Sequence, residues 1–281
     1  MLSNDEEHIE QRELEASRKE LEWLLATEVP RHVEEIGTLL KKALACCGAI
    51  PDPGTGSKPV NQATLAITSQ NADTVKGHTT INGTSITKGE MIIKFPHYNR
   101  GNPFKVTLNP AKPVLLDQAQ RARNCLVTAF DLYESRLAEE RNKDSVMQLL
   151  DRICTIAKQA RDSLSKIDPR TVFPNKEPDP KNFTPDLPED LVIEYHINQT
   201  SLVVSIFALN FHHAGLPLDF QSKILSKFKV FKIDTYKGRP VEILDEFTTE
   251  ATCPTFTALF KSIESVEEVC TILKKKLQII L

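Results

Sequence analysis

The stretch from Leu259 to Ile280 constrains the fold more than any other. Apolar residues fall at Leu259, Ile263, Val266, Cys270, Leu273, Leu277 and Ile280, at alternating steps of four and three. That spacing sets all of them on one seam of an α-helix. Glu264, Glu267, Glu268, Lys274, Lys275 and Lys276 lie between them and are expected to face water. The acids sit toward the helix start and the lysines toward its end, the order that the helix dipole favours. Such a helix is unstable alone, because its apolar face needs a second surface to bury it. The end of the chain must therefore pack against something made much earlier.

Three earlier stretches offer helical partners. From Glu10 to Cys47 the residues Leu14, Leu21, Leu25, Val29, Ile36, Leu40 and Leu44 recur at helical steps, with residues 1–10 expected to fray. Pro30 lies inside that stretch and predicts a kink or short break, since proline lacks a donor and crowds the preceding turn. Leu115, Ala119, Ala122, Leu126, Ala129, Tyr133 and Leu137 mark a second face. Val146, Leu149, Ile153, Ile156, Ala160, Leu164 and Ile167 mark a third, with Asp144 or Ser145 as its cap.

Elsewhere the period drops to two. Leu65 and Ile67, Val75 to Ile81, Met91 to Phe95 and Phe104 to Leu108 read as short strands, with Asn82-Gly83 as a hairpin turn. Leu191 to Ile197 alternates in the same way and turns near Asn198-Gln199. Leu202 to Leu209 is apolar on both faces, which suits a central strand. Phe228–Ile233 and Val241–Phe247 form a further hairpin across Lys237-Gly238, and 211–226 is open between loop and short helix.

Helices and strands thus come in blocks rather than in βαβ units. The fold class predicted is α+β: an antiparallel four-helix bundle beside a separate, mostly antiparallel β-sheet domain. The bundle would comprise residues 10–47, 111–168 and 256–281. The β-domain would comprise 60–108 and 186–250. Residues 48–59 and the proline-rich 169–185 would be linkers.

Composition narrows the function classes. A net charge of −3, with lysines and arginines spread along the chain, gives no reason to expect nucleic acid. Six cysteines without metal or disulfide spacing point to a reducing compartment. The acidic opening, MLSNDEEHIEQRELE, reads against a secretory or mitochondrial leader. No apolar run approaches the roughly 20 residues that span a bilayer, so a soluble protein is expected.

Candidate site residues are few. Cys46-Cys47 are candidates for redox or acylation chemistry, but the end of an amphipathic helix explains them with less. His212-His213 with His196 lack a carboxylate or cysteine at ligand spacing. Asp5, Glu6 and Glu7 read as a solvated tail. GTGSKP at 54–59 lacks the ending of a phosphate loop and has no strand before it, so it reads as linker. No catalytic residue, cofactor or metal is expected. The leucine stripes allow a dimerising zipper, although helices within one chain can satisfy each other.

Four stretches carry a resemblance. LEWLLATEVPRHVEEIGTLLKKA at 21–43, ADTVKGHTTINGTSITKGEMIIKFP at 72–96, LDQAQRARNCLVTAFDLYESR at 116–136 and LPEDLVIEYHINQTSLVVSIFAL at 187–209 resemble, in order and spacing, segments of the Rogdi leucine-zipper-containing proteins. The stretch 211–250 departs most. The resemblance implies an α-domain and a β-domain. It also implies a non-enzymatic subunit of a RAVE-type complex, which promotes reassembly of the vacuolar proton-ATPase. The partners implied are a large rabconnectin-type β-propeller subunit, a Skp-type adaptor and soluble-sector ATPase subunits. The protein would be cytoplasmic, monomeric alone, and brought to vacuolar and endosomal membranes only through others. A self-associating leucine-zipper scaffold is the alternative, and an enzyme with an unrecognised site a third.

Overall fold

The computed structural model describes residues 4–48, 62–69, 74–136, 142–211 and 233–280. The chain divides into two units. One holds residues 1–50, 121–162 and 258–281, and the other holds 51–120 and 163–257.

The first unit is helical. Helix α1 (Asn4–Trp23) passes through a π-helical turn (Leu24–Glu28) into α2 (Val29–Cys46). Pro30 therefore does not break the helix. The turn before it widens, and the Val29 N–H donates to the Leu24 carbonyl five residues back. Helices α3 (Asp117–Arg136), α4 (Lys143–Ser165) and α5 (Pro254–Ile279) supply the rest. The side chain of Asn142 caps α4, accepting from the Ser145 N–H at 2.8 Å, in place of the predicted Asp144 or Ser145.

The seam on α5 is filled from within the chain. Leu259, Ile263, Val266, Cys270, Leu273 and Leu277 are buried to 1% exposure or less. Ion pairs fix its neighbours: Lys274 meets Asp151 on α4, and Lys276 Nζ lies 2.7 Å from Glu28 Oε2. Glu267 departs from its expected place in water. It is buried, with Arg161 of α4 3.1 Å from Oε2, and burial holds its carboxyl above the usual range.

The helices are not a four-helix bundle, which corrects the sequence-based architecture. The first of them is one long helix from residue 4, not a frayed end leading into a bundle strut. None of the described α1 side chains is buried, and Ile9, Leu14 and Trp23 are 46–58% exposed. Charges on every side of residues 4–23 leave too narrow an apolar stripe to pack. Nor do α2 to α5 run their backbones closely alongside one another, as a bundle seam requires. Gly37 of α2 is a close point, where an added Cβ would stand 2.2 Å from the Tyr133 ring of α3. Since none of the described α1 side chains is buried, Leu14→Ala and Trp23→Ala should each change the unfolding free energy by less than about 0.5 kcal/mol. Urea denaturation checks this.

The second unit contains two antiparallel sheets rather than one. The larger runs β1 (Gln62–Thr68), β2 (Val75–Asn82), β3 (Ser85–Ile93), β4 (Phe104–Leu108), β6 (Phe183–Thr184), with β5 (Val114–Leu115) also paired to β3. The smaller runs β7 (Leu191–Asn198), β8 (Ser201–Phe211), β10 (Arg239–Thr252), β9 (Ile233–Tyr236). Ile67, Val75, Ile81, Met91, Ile93 and Val106 bury one face of the larger sheet. Strand β8 is central and buried along Ser201–Leu209, as its two apolar faces demand.

A side chain helps explain why, among the described residues, β7 pairs only with β8. Gln118, at the start of α3, lies against the outer edge of β7. Its Oε1 accepts the Ile197 N–H at 2.7 Å, and its Nε2 donates to the Ile197 carbonyl at 2.8 Å. A glutamine thus satisfies backbone groups that a further strand would otherwise take.

The turns follow backbone sterics. The β2–β3 turn is Gly83-Thr84, one residue later than predicted, and Gly83 supplies its positive φ of 59°. Lys237 and Gly238, at 53° and 70°, make the β9–β10 turn. Residues 228–232 of the predicted hairpin lie outside the described residues, and β10 runs on to Thr252.

Candidate binding cleft

Two proline-rich 3-10 turns build one wall of a cleft in the second unit. Asp168 Oδ1 accepts the Arg170 N–H at 3.0 Å, and Asp179 Oδ1 accepts the Lys181 N–H at 2.9 Å. Each aspartate fixes the turn that follows it. Asn109 ties the second turn to the end of β4, its N–H donating to the Asn182 carbonyl at 2.8 Å. The stretch 169–185 is therefore held in place by its own turn chemistry.

This wall, the segment Pro113–Asp117 and the residues Ile193–Tyr195 of β7 enclose a volume of about 410 Å³. The lining is mixed. Val114, Leu115 and Ile193 are apolar, while Asp117, Lys176 and Glu194 bring charge. Lys176 Nζ sits 2.6 Å from Asp117 Oδ2. Glu194 Oε2 accepts the Phe173 N–H at 2.6 Å. Burial raises the Glu194 carboxyl above the usual range, against the opposing pull of that N–H and of Lys176. The Tyr195 hydroxyl is buried without a hydrogen-bond partner among the described residues, and burial alone raises its pKa.

Glu194 makes stability depend on pH. A carboxyl with a raised folded-state pKa holds its proton more tightly when folded. Its ionisation therefore costs stability above that pKa, and the cost vanishes below the ordinary carboxylate range. Glu194→Gln keeps an acceptor for Phe173 and should raise the melting temperature at pH 8. The gain should disappear by about pH 4. Melting curves across that range check it.

Of the candidates read from sequence, Cys46, Cys47 and His196 lie among the described residues. Cys47 is buried at the C-terminal end of α2, and desolvation pushes its thiol up to about 12. This is the wrong environment for a nucleophile. Desolvation also pushes Cys270 up to about 12. A disulfide reagent should reach the half-exposed Cys46 and Cys125 in the native protein. Cys47, Cys154, Cys253 and Cys270 should react only on unfolding, as thiol counting before and after denaturant would show.

The Nδ1 of His196 is buried without a partner among the described residues, and burial lowers its pKa despite Glu250 nearby. His212-His213 and GTGSKP lie outside the described residues, as do the side chains of Asp5, Glu6 and Glu7. Among the described residues no group of three or more histidine, cysteine or acidic side chains is arranged to hold a metal ion. No described helix is long and apolar enough to cross a membrane. Sequence patterns missed the cleft because its parts lie far apart in the chain. The Asp-Pro pairs at 168–169 and 179–180 were the one local signal of ordered turns.

Comparison with known proteins completes the picture. Residues 20–252 match the model of a family described as Rogdi leucine zipper containing protein. That span includes both sheets and stops before α5. The protein named "Protein rogdi homolog" from Pongo abelii is 29% identical over 198 residues, 68% of this chain and 67% of the relative. Its Homo sapiens counterpart of the same name is 28% identical over the same shares. "Protein rogdi" from Drosophila melanogaster is 23% identical over 210 residues, 68% of this chain and 70% of the relative. The four stretches that carried the resemblance all fall inside the matched span.

Proposed function

The chain belongs to the Rogdi leucine zipper containing family, and from that membership we propose that it is a non-enzymatic subunit of a RAVE-type complex. In this role it promotes reassembly of the vacuolar proton-ATPase by binding. Its partners are a large rabconnectin-type β-propeller subunit, a Skp-type adaptor and soluble-sector ATPase subunits. It works in the cytoplasm and reaches vacuolar and endosomal membranes through those partners. The family match over 20–252 is the observation that carries this proposal. The family description names no enzymatic activity.

The test is affinity purification of the tagged protein at native abundance, followed by mass spectrometry. Recovery of the propeller subunit with ATPase soluble-sector subunits is expected. Recovery of neither would overturn the proposal.

A second proposal, a self-associating scaffold, draws on the exposed Ile9, Leu14 and Trp23 of α1. The α5 seam does not serve it, being filled within the chain. Light scattering over a dilution series separates the two. A monomer at all concentrations excludes the scaffold.

A further inference from the structure

The larger sheet turns one face to solvent, and that face is basic. At the end of β3 the exposed Ile92 and Lys94 alternate with the buried Met91, Ile93 and Phe95, so Ile92 and Lys94 stand on the same side. The register sets Lys76 of β2 on one flank of Ile92 and Lys105 of β4 on the other. Both lysines are exposed. Neighbouring strands lie about 4.8 Å apart, which puts the two lysine backbones about 10 Å apart across Ile92. Lys88, four residues before Ile92, is exposed on the same face. Against these four ammonium groups the described face sets one carboxylate, Glu90, which Lys105 meets at 2.9 Å. Neither Lys88 nor Lys94 has an ion-pair partner among the described residues. The chain as a whole carries a net charge of −3, so this face runs against the overall sign.

The connection from β3 to β4 adds Arg100 at the same end of the sheet. Asn99, Arg100 and Gly101 have positive φ values of 48°, 56° and 75°, a region that residues other than glycine avoid. Asn99 and Asn102 hold the turn, each side-chain amide donating to the other's backbone carbonyl, at 3.3 and 3.1 Å. Arg100 is exposed on it. Ile92 is the apolar centre of this basic ground and is 42% exposed. An isoleucine in water gains by being covered. The cations around it select an acidic covering and repel a second copy of the same face. Nucleic acid fits less well, because the described face carries no phenylalanine, tyrosine or tryptophan on which a base could stack.

We propose that this face docks a short acidic segment of a partner protein, with its carboxylates on Lys76, Lys94, Lys105 and Arg100 and an apolar side chain between them over Ile92. The distance of about 10 Å across Ile92 corresponds to three residues of extended chain. Charge brings the segment to the face and sets its sign. The contact with Ile92 fixes where it sits. This docking mode does not use the cleft and does not depend on which complex the protein serves.

The test uses the full-length isotope-labelled protein and three acetylated, amidated heptapeptides. The first has a central leucine between two runs of glutamate, the second has serine in place of the leucine, and the third has glutamine in place of every glutamate. The leucine-centred acidic peptide should shift the amide resonances of Ile92, Lys94 and Lys105 saturably. Its binding should weaken at least tenfold between about 0.02 and 0.5 M salt, as screening shortens the reach of the charges. It should bind about fivefold more tightly than the serine-centred peptide, the size of a partly covered isoleucine contact. Ile92→Thr keeps the β-branched shape and should erase that preference. Lys94→Gln with Lys105→Gln should weaken both acidic peptides about tenfold, and Lys275→Gln on α5 should change neither by more than about twofold. The proposal is overturned if the acidic peptides leave those resonances unmoved, if the glutamine peptide binds equally well, or if Ile92→Thr keeps the leucine preference. It is also overturned if vesicles of phosphatidylserine bind through Lys94 and Lys105 while the peptides do not, since the face would then be a lipid surface. The peptide comparisons need no protein variant.

Discussion

Leu273→Ala is expected to lower the unfolding free energy by about 2–5 kcal/mol, the cost of removing a fully buried leucine and leaving a cavity. Leu273 has no exposed surface, and Cys270 and Leu277 beside it on the seam have none either. The cavity therefore cannot be relieved by solvent. The loss should be the same at every protein concentration, because the seam is filled by the chain that carries it. Ile279, 83% exposed on the same helix, is the control. Ile279→Ala should stay within about 0.5 kcal/mol. Chemical denaturation at two concentrations a hundredfold apart reads both effects. A Leu273→Ala loss that appears only at the higher concentration would mean that the seam is a subunit interface.

Gln118→Leu is expected to cost a similar amount for a different reason. Leucine is apolar and near glutamine in bulk, so little packing is lost. The N–H and C=O of Ile197 would lose both their partners in a buried place. Each orphaned backbone group costs roughly 1–3 kcal/mol, and the two together about 2–6 kcal/mol. Gln118→Glu, when ionised, accepts the Ile197 N–H but turns a second oxygen toward the carbonyl, so it should cost at least as much at neutral pH and less at acid pH, where the protonated carboxyl can donate. Denaturation gives the magnitudes, and hydrogen exchange at the Ile197 amide should quicken most in the leucine variant. A leucine variant as stable as the parent would show that Gln118 only fills space.

The sequence was legible wherever one local pattern decides the outcome. The α5 seam is an example, since its spacing leaves one helical face to bury. Strand β8 is another, because residues apolar on both sides fit only a central position. Lys237-Gly238 is a third, because both members take a positive φ. Arrangement between elements was much less legible. The stripe through Leu14 and Leu21 looks like the rest of its helix, yet Leu14 is exposed, and no single-helix pattern says where packing stops. Two sheets instead of one follow in part from Gln118, whose role at the β7 edge no periodicity reveals. Strands β5 and β6 are two residues each, too short to show alternation. Glu267 looked like a surface acid until Arg161, far away in sequence, was found beside it. The cleft joins four carboxylates from three separate stretches.

The central claim is that the end of the chain packs on the start of the same chain. Glu28 and Lys276, in contact at 2.7 Å, make it measurable. Protein grown with light nitrogen is mixed with protein grown with heavy nitrogen, and a carbodiimide then joins carboxylates to lysines without a spacer. The account predicts Glu28–Lys276 cross-linked peptides that are wholly light or wholly heavy. Light–heavy hybrids in statistical proportion, or no Glu28–Lys276 product at all, would contradict it.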